Sequence, residues 1–290
     1  QEGSLMIVDF RIRPPYRGFK DLHIFSPRDP NPDPVTQHGL SLDLPEYKSR
    51  SELSMTHLIS EMDEGGIDVG VVHGRQSPPP FGSVSSETVA AIVEEYPGRF
   101  VGFGGVDGSR GEEALEEIEK CHSLGLRGIS FDNGFSDPPL HNDDPQLMPL
   151  YQLCSDLGLI VSLTSSIFLG PDMSYCHPIH VQRVALAFRD LTIVVPHANW
   201  PWTTLACSVV FQTNNVHLIP DFYLNMPNTP GAHEYVRSAN YFMSYNLLFG
   251  SSYPVRPFGQ SVEQFRALPF DSDEILNRAL GENAARILGL

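Results

Sequence analysis

Short apolar runs alternate with amphipathic helical stretches about eight times along this chain, and few folds accommodate that rhythm. The sequence of 290 residues places strand-like runs at 67–73, 100–106, 126–131, 159–163, 191–196, 216–220 and 247–250, with helical stretches between them. An earlier run built on Ile7, Val8, Phe10 and Ile12 supplies one more strand. Strands separated by helices form a parallel sheet, because a parallel return needs a crossover long enough to hold a helix. Eight such units in a chain of this length predict a closed (β/α)8 barrel, the TIM barrel, rather than an open doubly wound sheet. No GxGxxG or Walker loop follows the first strand, which counts against dinucleotide and nucleotide binding.

No break in composition marks a second domain, so residues 6–290 read as a single barrel domain, and residues 1–5 before Met6 read as a cloning remnant. The proline-rich polar segment 13–51 after the first strand reads as a lid or binding loop. The formal charge of −16 argues against nucleic acid and anionic membrane surfaces as partners, while leaving room for a small anionic molecule held by local arginines. No apolar run approaches the length of a membrane span. The four cysteines show no CxxC spacing, and no apolar signal core precedes the first strand; a reduced, cytoplasmic enzyme is the expectation. A homodimer is the default oligomeric expectation.

In a parallel barrel, chemistry is carried at the C-terminal ends of the strands. Those ends hold Arg11 and Arg13, His73 and Arg75, Asp107, Asp132, Thr164 and Ser165, His197 and Asn199, Asp221 and Tyr223, and Ser251 and Ser252. Asp9, Arg11 and Arg13 alternate along the first strand, so all three are expected on one side of it. Buried charge of this kind needs ion partners or a ligand. Asp107-Gly108 and Asp132-Asn133-Gly134 are also good turn sequences. His73 and His197 end near-continuous apolar strands, which favours them as site residues.

These residues sit among motifs that resemble a known family. Val8-Asp9 opens the chain, and Tyr96-Pro97-Gly98-Arg99-Phe100-Val101-Gly102 and Gly125-Leu126-Arg127-Gly128-Ile129 follow. His197 stands after the sixth strand, then come Leu248-Phe249-Gly250-Ser251-Ser252-Tyr253-Pro254 and the tail Gly281-Glu282-Asn283-Ala284-Ala285-Arg286-Ile287-Leu288. In this order they resemble the amidohydrolase-related group of the amidohydrolase superfamily, the branch with aminocarboxymuconate semialdehyde decarboxylase and pyrone dicarboxylate lactonase. The resemblance implies a metal-binding His-x-His at the end of the first strand, a His on the fifth and an Asp on the eighth. Here the matching positions are Arg11 and Arg13, Thr164 or Ser165, and Ser252; His197 alone keeps its place. Guanidinium groups are permanently charged and do not ligate metals. No metal is therefore expected at the usual site; a relocated Zn site would draw on His73, His177, His180 or Asp132.

The expected chemistry follows from that exchange. Arg11 and Arg13 bind a substrate anion or a developing oxyanion. His197 acts as general base, and Asp132, its pKa raised by burial, orients it or shares the proton. His73, Arg75, Tyr223, Ser252, Thr164 and Asn199 are expected substrate contacts. The reaction implied is metal-independent hydrolysis of a lactone or ester-like C–O bond in a small carboxylated molecule. Alternatives are a metal-dependent hydrolase or decarboxylase with a rebuilt site, a non-catalytic ligand-binding member, and a structural or assembly role.

Overall fold

The computed structural model describes residues 6–26 and 46–290. Seven parallel strands follow one another in register order: β1 Val8–Ile12, β2 Val69–His73, β3 Phe100–Val106, β4 Gly128–Phe131, β5 Ile160–Leu163, β6 Ile193–Pro196 and β7 Val216–Ile219. The main helices are α1 Lys48–Ser51, α2 Met55–Glu64, α3 Ser86–Glu95, α4 Glu112–Ser123, α5 Met148–Asp156, α6 Pro178–Ala187, α7 Thr203–Thr213, α8 Phe222–Asn225, α9 His233–Ala239, α10 Phe258–Arg266, α11 Asp273–Asn277 and α12 Asn283–Leu288. Their starts are set by local chemistry: the Ser54 and Ser85 hydroxyls accept from the backbone N–H groups of His57 and Thr88. His177 caps α6 by accepting from the Ile179 N–H through Nδ1, with Pro178 in the first turn.

The expected eighth strand is present in position but not as a regular strand. Residues 246–253 run between β7 and β1 and bond to both. The Leu218 N–H donates to Asn246 O at 2.9 Å and the Leu248 N–H to Leu218 O at 2.9 Å. On the other side the Phe10 N–H donates to Phe249 O at 2.9 Å and the Arg13 N–H to Tyr253 O at 3.0 Å. The stretch forms only isolated bridges, Leu247 with Leu218 and Tyr253 with Ile12, rather than a continuous ladder, and β1 itself slips in register against β2 between Asp9 and Ile12. The result is a nearly closed TIM barrel.

Two packed layers hold it. Val8, Phe10, Val71, Phe103, Val194, Ile219 and Leu248 fill the barrel interior, while a larger cluster packs the strands against the helices. Both layers are buried on each strand, which is why the strands read as continuous apolar runs rather than alternating ones. The long 13–51 segment is described at its two ends only; the rest of that expected lid lies outside the described residues. Among the described residues no helix is long and apolar enough to cross a membrane.

Candidate active site

A cavity of about 500 Å³ opens at the C-terminal ends of the strands. Arg11, Arg13 and Arg75 form its cationic side, and Thr164, Ser166, His197 and Ser252 add polar groups. Phe81, Phe135, Phe168 and Phe222 contribute an apolar wall. Phe81 and Phe135 stack with centroids 3.7 Å apart, and the Arg75 guanidinium lies 5.4 Å from the Phe135 ring centre.

The arginines arrive by different routes. The slip in β1 breaks simple alternation. Asp9 therefore turns away from the cavity and accepts from the backbone N–H groups of Ser251 at 2.9 Å and Arg11 at 3.1 Å, while Arg11 and Arg13 line the mouth. Burial, partly offset by these bonds to Ser251 and Arg11, pushes the Asp9 carboxyl up to about 7. Arg75 follows Gly74, where a Cβ would meet the Gly105 nitrogen at 2.6 Å. Glycine there lets the end of β2 lie against β3.

Asp132 neutralises part of this charge. Its Oδ2 accepts from Arg75 Nε at 2.8 Å and from Arg13 Nη2 at 3.2 Å. Burial favours its neutral form, but Arg75, Arg13 and Arg11 outweigh that and hold the carboxyl well below the usual carboxylate range. The shift is opposite to the rise expected from burial alone. Arg11 has no such partner: its Nη1 is buried without a hydrogen bond. Burial lowers the Arg11 pKa to about 10, which leaves it cationic at neutral pH.

His197 is held by a different acid. Its Nδ1 lies 2.9 Å from one oxygen of Asp221 and 3.1 Å from the other, and its backbone N–H donates to the same carboxylate at 3.0 Å. A carboxylate only accepts, so Nδ1 carries the proton and Nε2 is free to accept one. The turn is strained: His197, Ala198 and Asn199 have φ values of 66°, 45° and 59°. It is pinned by the Tyr235 hydroxyl, which donates to Ala198 O at 2.9 Å, and by the Asn199 amide, which donates to Cys176 O at 2.9 Å. Asp221, not Asp132, is thus the acid in contact with the histidine.

Of the residues singled out in the sequence, Arg11, Arg13, Arg75, Thr164, His197 and Ser252 meet around one cavity. Asp132 sits behind the arginines. His73 lies inside the barrel, with Nε2 2.9 Å from Phe10 O and its ring stacked on Phe103; burial, with Arg11 and Arg13 nearby, keeps it neutral. Asn199 is spent on the turn. Tyr223 packs beside His197 and stacks on Trp200 rather than lining the cavity. Asp107 is a turn former, accepting from the Ser109 N–H at 3.0 Å.

The donor set does not fit a divalent cation. Arg11 and Arg13 stand where the family resemblance implies imidazole ligands, and Ser252 where it implies a carboxylate. Among the described residues no group of three or more His, Cys, Asp or Glu side chains could hold a metal ion. His177 caps α6 and His180 pairs with Asp143, so neither is free for a relocated site.

The amidohydrolase family model matches residues 45–290. An uncharacterized TIM-barrel protein from Bordetella bronchiseptica is 35% identical, with a TM-score of 0.90 over 98% of this chain and 99% of that one. A dihydroxybenzoic acid decarboxylase from Polaromonas sp. JS666, with bound manganese and the inhibitor 2-nitroresorcinol, is 19% identical with a TM-score of 0.64 over 85% and 91% of the two chains. A probable 2-pyrone-4,6-dicarboxylic acid hydrolase from Acinetobacter baumannii, with citric acid bound, is 15% identical with a TM-score of 0.65 over 98% and 99%. A Dictyostelium discoideum 2-amino-3-carboxymuconate-6-semialdehyde decarboxylase is 32% identical over 88 residues. That match spans 30% of this chain and about a quarter (24%) of the curated relative. The chain belongs to the amidohydrolase family of enzymes.

Proposed function

We propose that this enzyme hydrolyses a lactone or ester-like C–O bond in a small carboxylated molecule without a divalent metal, using arginines to hold the substrate's charge. Arg11, which lines the cavity and among the described residues has no counter-ion in contact, carries the reading. A buried cationic donor with no partner is costly, and a substrate carboxylate or a developing oxyanion would satisfy it. Arg11, Arg13 and Arg75 stand against Asp132 and Asp221, so the site keeps one more cation than anion. His197, oriented by Asp221, takes the proton of the attacking hydroxyl. Thr164 and Ser252 offer hydrogen bonds, and the phenylalanine wall covers a flat, apolar substrate body. The name of the Acinetobacter relative supports the choice of a carboxylated lactone.

The test is hydrolysis of a panel of carboxylated lactones, with 2-pyrone-4,6-dicarboxylate and coumarin-3-carboxylate among them, followed by proton release. Turnover that survives exhaustive chelation and is lost in Arg11→Met supports the proposal. Release of carbon dioxide in place of ring opening, or turnover restored only by added Mn²⁺ or Zn²⁺, would sink it.

A further inference from the structure

The attacking hydroxyl can belong to water or to the protein, and the cavity is lined by one such hydroxyl. Ser252 lines it together with His197. Among the described residues the Ser252 hydroxyl makes no hydrogen bond within the protein. Its backbone is left-handed, with φ 60°, a conformation that costs a serine free energy and tends to occur at functional turns. Both neighbours are anchored. The Ser251 N–H donates to Asp9 at 2.9 Å, the Ser251 hydroxyl accepts from the Tyr253 N–H at 3.0 Å, and Tyr253 O accepts from the Arg13 N–H at 3.0 Å. Ser252 is thus a strained, rigidly held residue with a free hydroxyl in a cavity that also holds a base whose other nitrogen is fixed by a carboxylate.

We infer that Ser252 is a covalent nucleophile and that Asp221, His197 and Ser252 act as an acid–base–nucleophile triad, a deepening that rests on the hydrolase reading above. Ser252 Oγ attacks the carbonyl carbon, and its proton passes to His197 Nε2. The carbonyl oxygen gains negative charge facing the arginines, of which Arg11 lines the cavity without a carboxylate partner. The C–O bond to the leaving alkoxide then breaks, and His197 returns the proton to that oxygen. Water attacks the resulting serine ester and gives its proton to His197. Ser252 Oγ leaves with that proton as the free acid forms. Recognition by this arrangement depends on geometry and roles, not on the order of residues in the chain.

The experiment treats the whole protein with a fluorophosphonate probe and maps the adduct by peptide mass spectrometry, alongside lactone kinetics. The inference expects a phosphonyl adduct on Ser252, reduced at least tenfold in His197→Ala and in Asp221→Asn. It also expects at least a hundredfold loss of lactone turnover in both Ser252→Ala and Ser252→Gly. The glycine variant suits the left-handed backbone and so separates loss of the hydroxyl from loss of fold. An unlabelled Ser252, or a Ser252→Gly enzyme that turns over lactone within threefold of the parent, overturns the triad while leaving the hydrolase reading intact. Labelling that depends on His197 in a protein that opens no lactone does the reverse: the nucleophile stands and the substrate class falls.

Discussion

Asp221 grips His197 twice, through the ring Nδ1 at 2.9 Å and through the backbone N–H at 3.0 Å. One carboxylate therefore sets both the tautomer of the imidazole and the path of the strained turn that carries it. Asp221→Asn keeps the shape but substitutes an amide for an obligate acceptor. Turnover should fall about 100-fold or more, the scale of lost acid–base catalysis. Steady-state kinetics with a parallel melting curve check this, and a variant with near-parental kcat contradicts the assignment.

The proposed role of Arg11 is in binding and not in folding. Its guanidinium is buried with Nη1 unpartnered, so Arg11→Met should leave the melting temperature equal or higher while abolishing measurable turnover. Citrate should raise the melting temperature of the parent and not of the variant. Scanning fluorimetry with and without citrate reads both outcomes.

Asp132 has the opposite character. Replacing it with Asn leaves Arg13 and Arg75 buried without their counter-ion, at a cost of about 3–5 kcal/mol. Its folded pKa is depressed, so its stabilisation is present above the ordinary aspartate range near ~4 and is lost as pH falls below that. Denaturant titrations should show a large gap between parent and Asp132→Asn at pH 7 that narrows below pH ~4.

Asp9 gives a pH dependence of the other sign. Burial raises its pKa to about 7, so the folded protein holds a proton that the unfolded chain releases near pH ~4. The stability it contributes is fully present below pH ~4 and is lost as pH rises through about 7. Asp9→Asn should therefore gain on the parent as pH moves from 5 to 8, measured as the difference between their melting temperatures. A difference that stays constant across that range would show that Asp9 does not titrate there.

Chelation should not matter. Dialysis against EDTA is expected to leave turnover within twofold, because the cavity presents guanidinium groups where a cation would need imidazole and carboxylate donors. A tenfold loss restored by Mn²⁺ would show that the arginines coexist with a metal.

Much of the barrel could be read from spacing alone, because buried parallel strands advertise themselves as uninterrupted apolar runs. Phe100–Val106 matches its predicted bounds, and most other strands begin one or two residues later than predicted. The seam was harder: Leu247 and Leu248 read as a strand, yet this stretch forms only isolated bridges to its neighbours. Strand-end positions placed Arg11, Arg13, Arg75, His197 and Ser252 at one end of the barrel, where they line one cavity. They did not reveal pairing, which depends on where side chains turn after the strand ends. Asp132 and Asp221 look alike in sequence; one is surrounded by arginines and the other meets His197. The Asp221 position beside the strand of His197 was the available signal. Asn199 and Tyr223 had equal claim to the cavity by position, and the left-handed turn at 197–199 diverted the first of them.

The contact from Ser251 to Asp9 joins residues 242 positions apart. Loop closure makes so distant a pairing slow, and bonds of this kind belong to the last stages of folding. Arg11, Arg13 and Ser252 flank that contact, so a chain with every helix formed but the seam open would have no working site. Recovery of turnover after dilution from denaturant thus serves as a clock for barrel closure, and it should lag behind the return of helical signal.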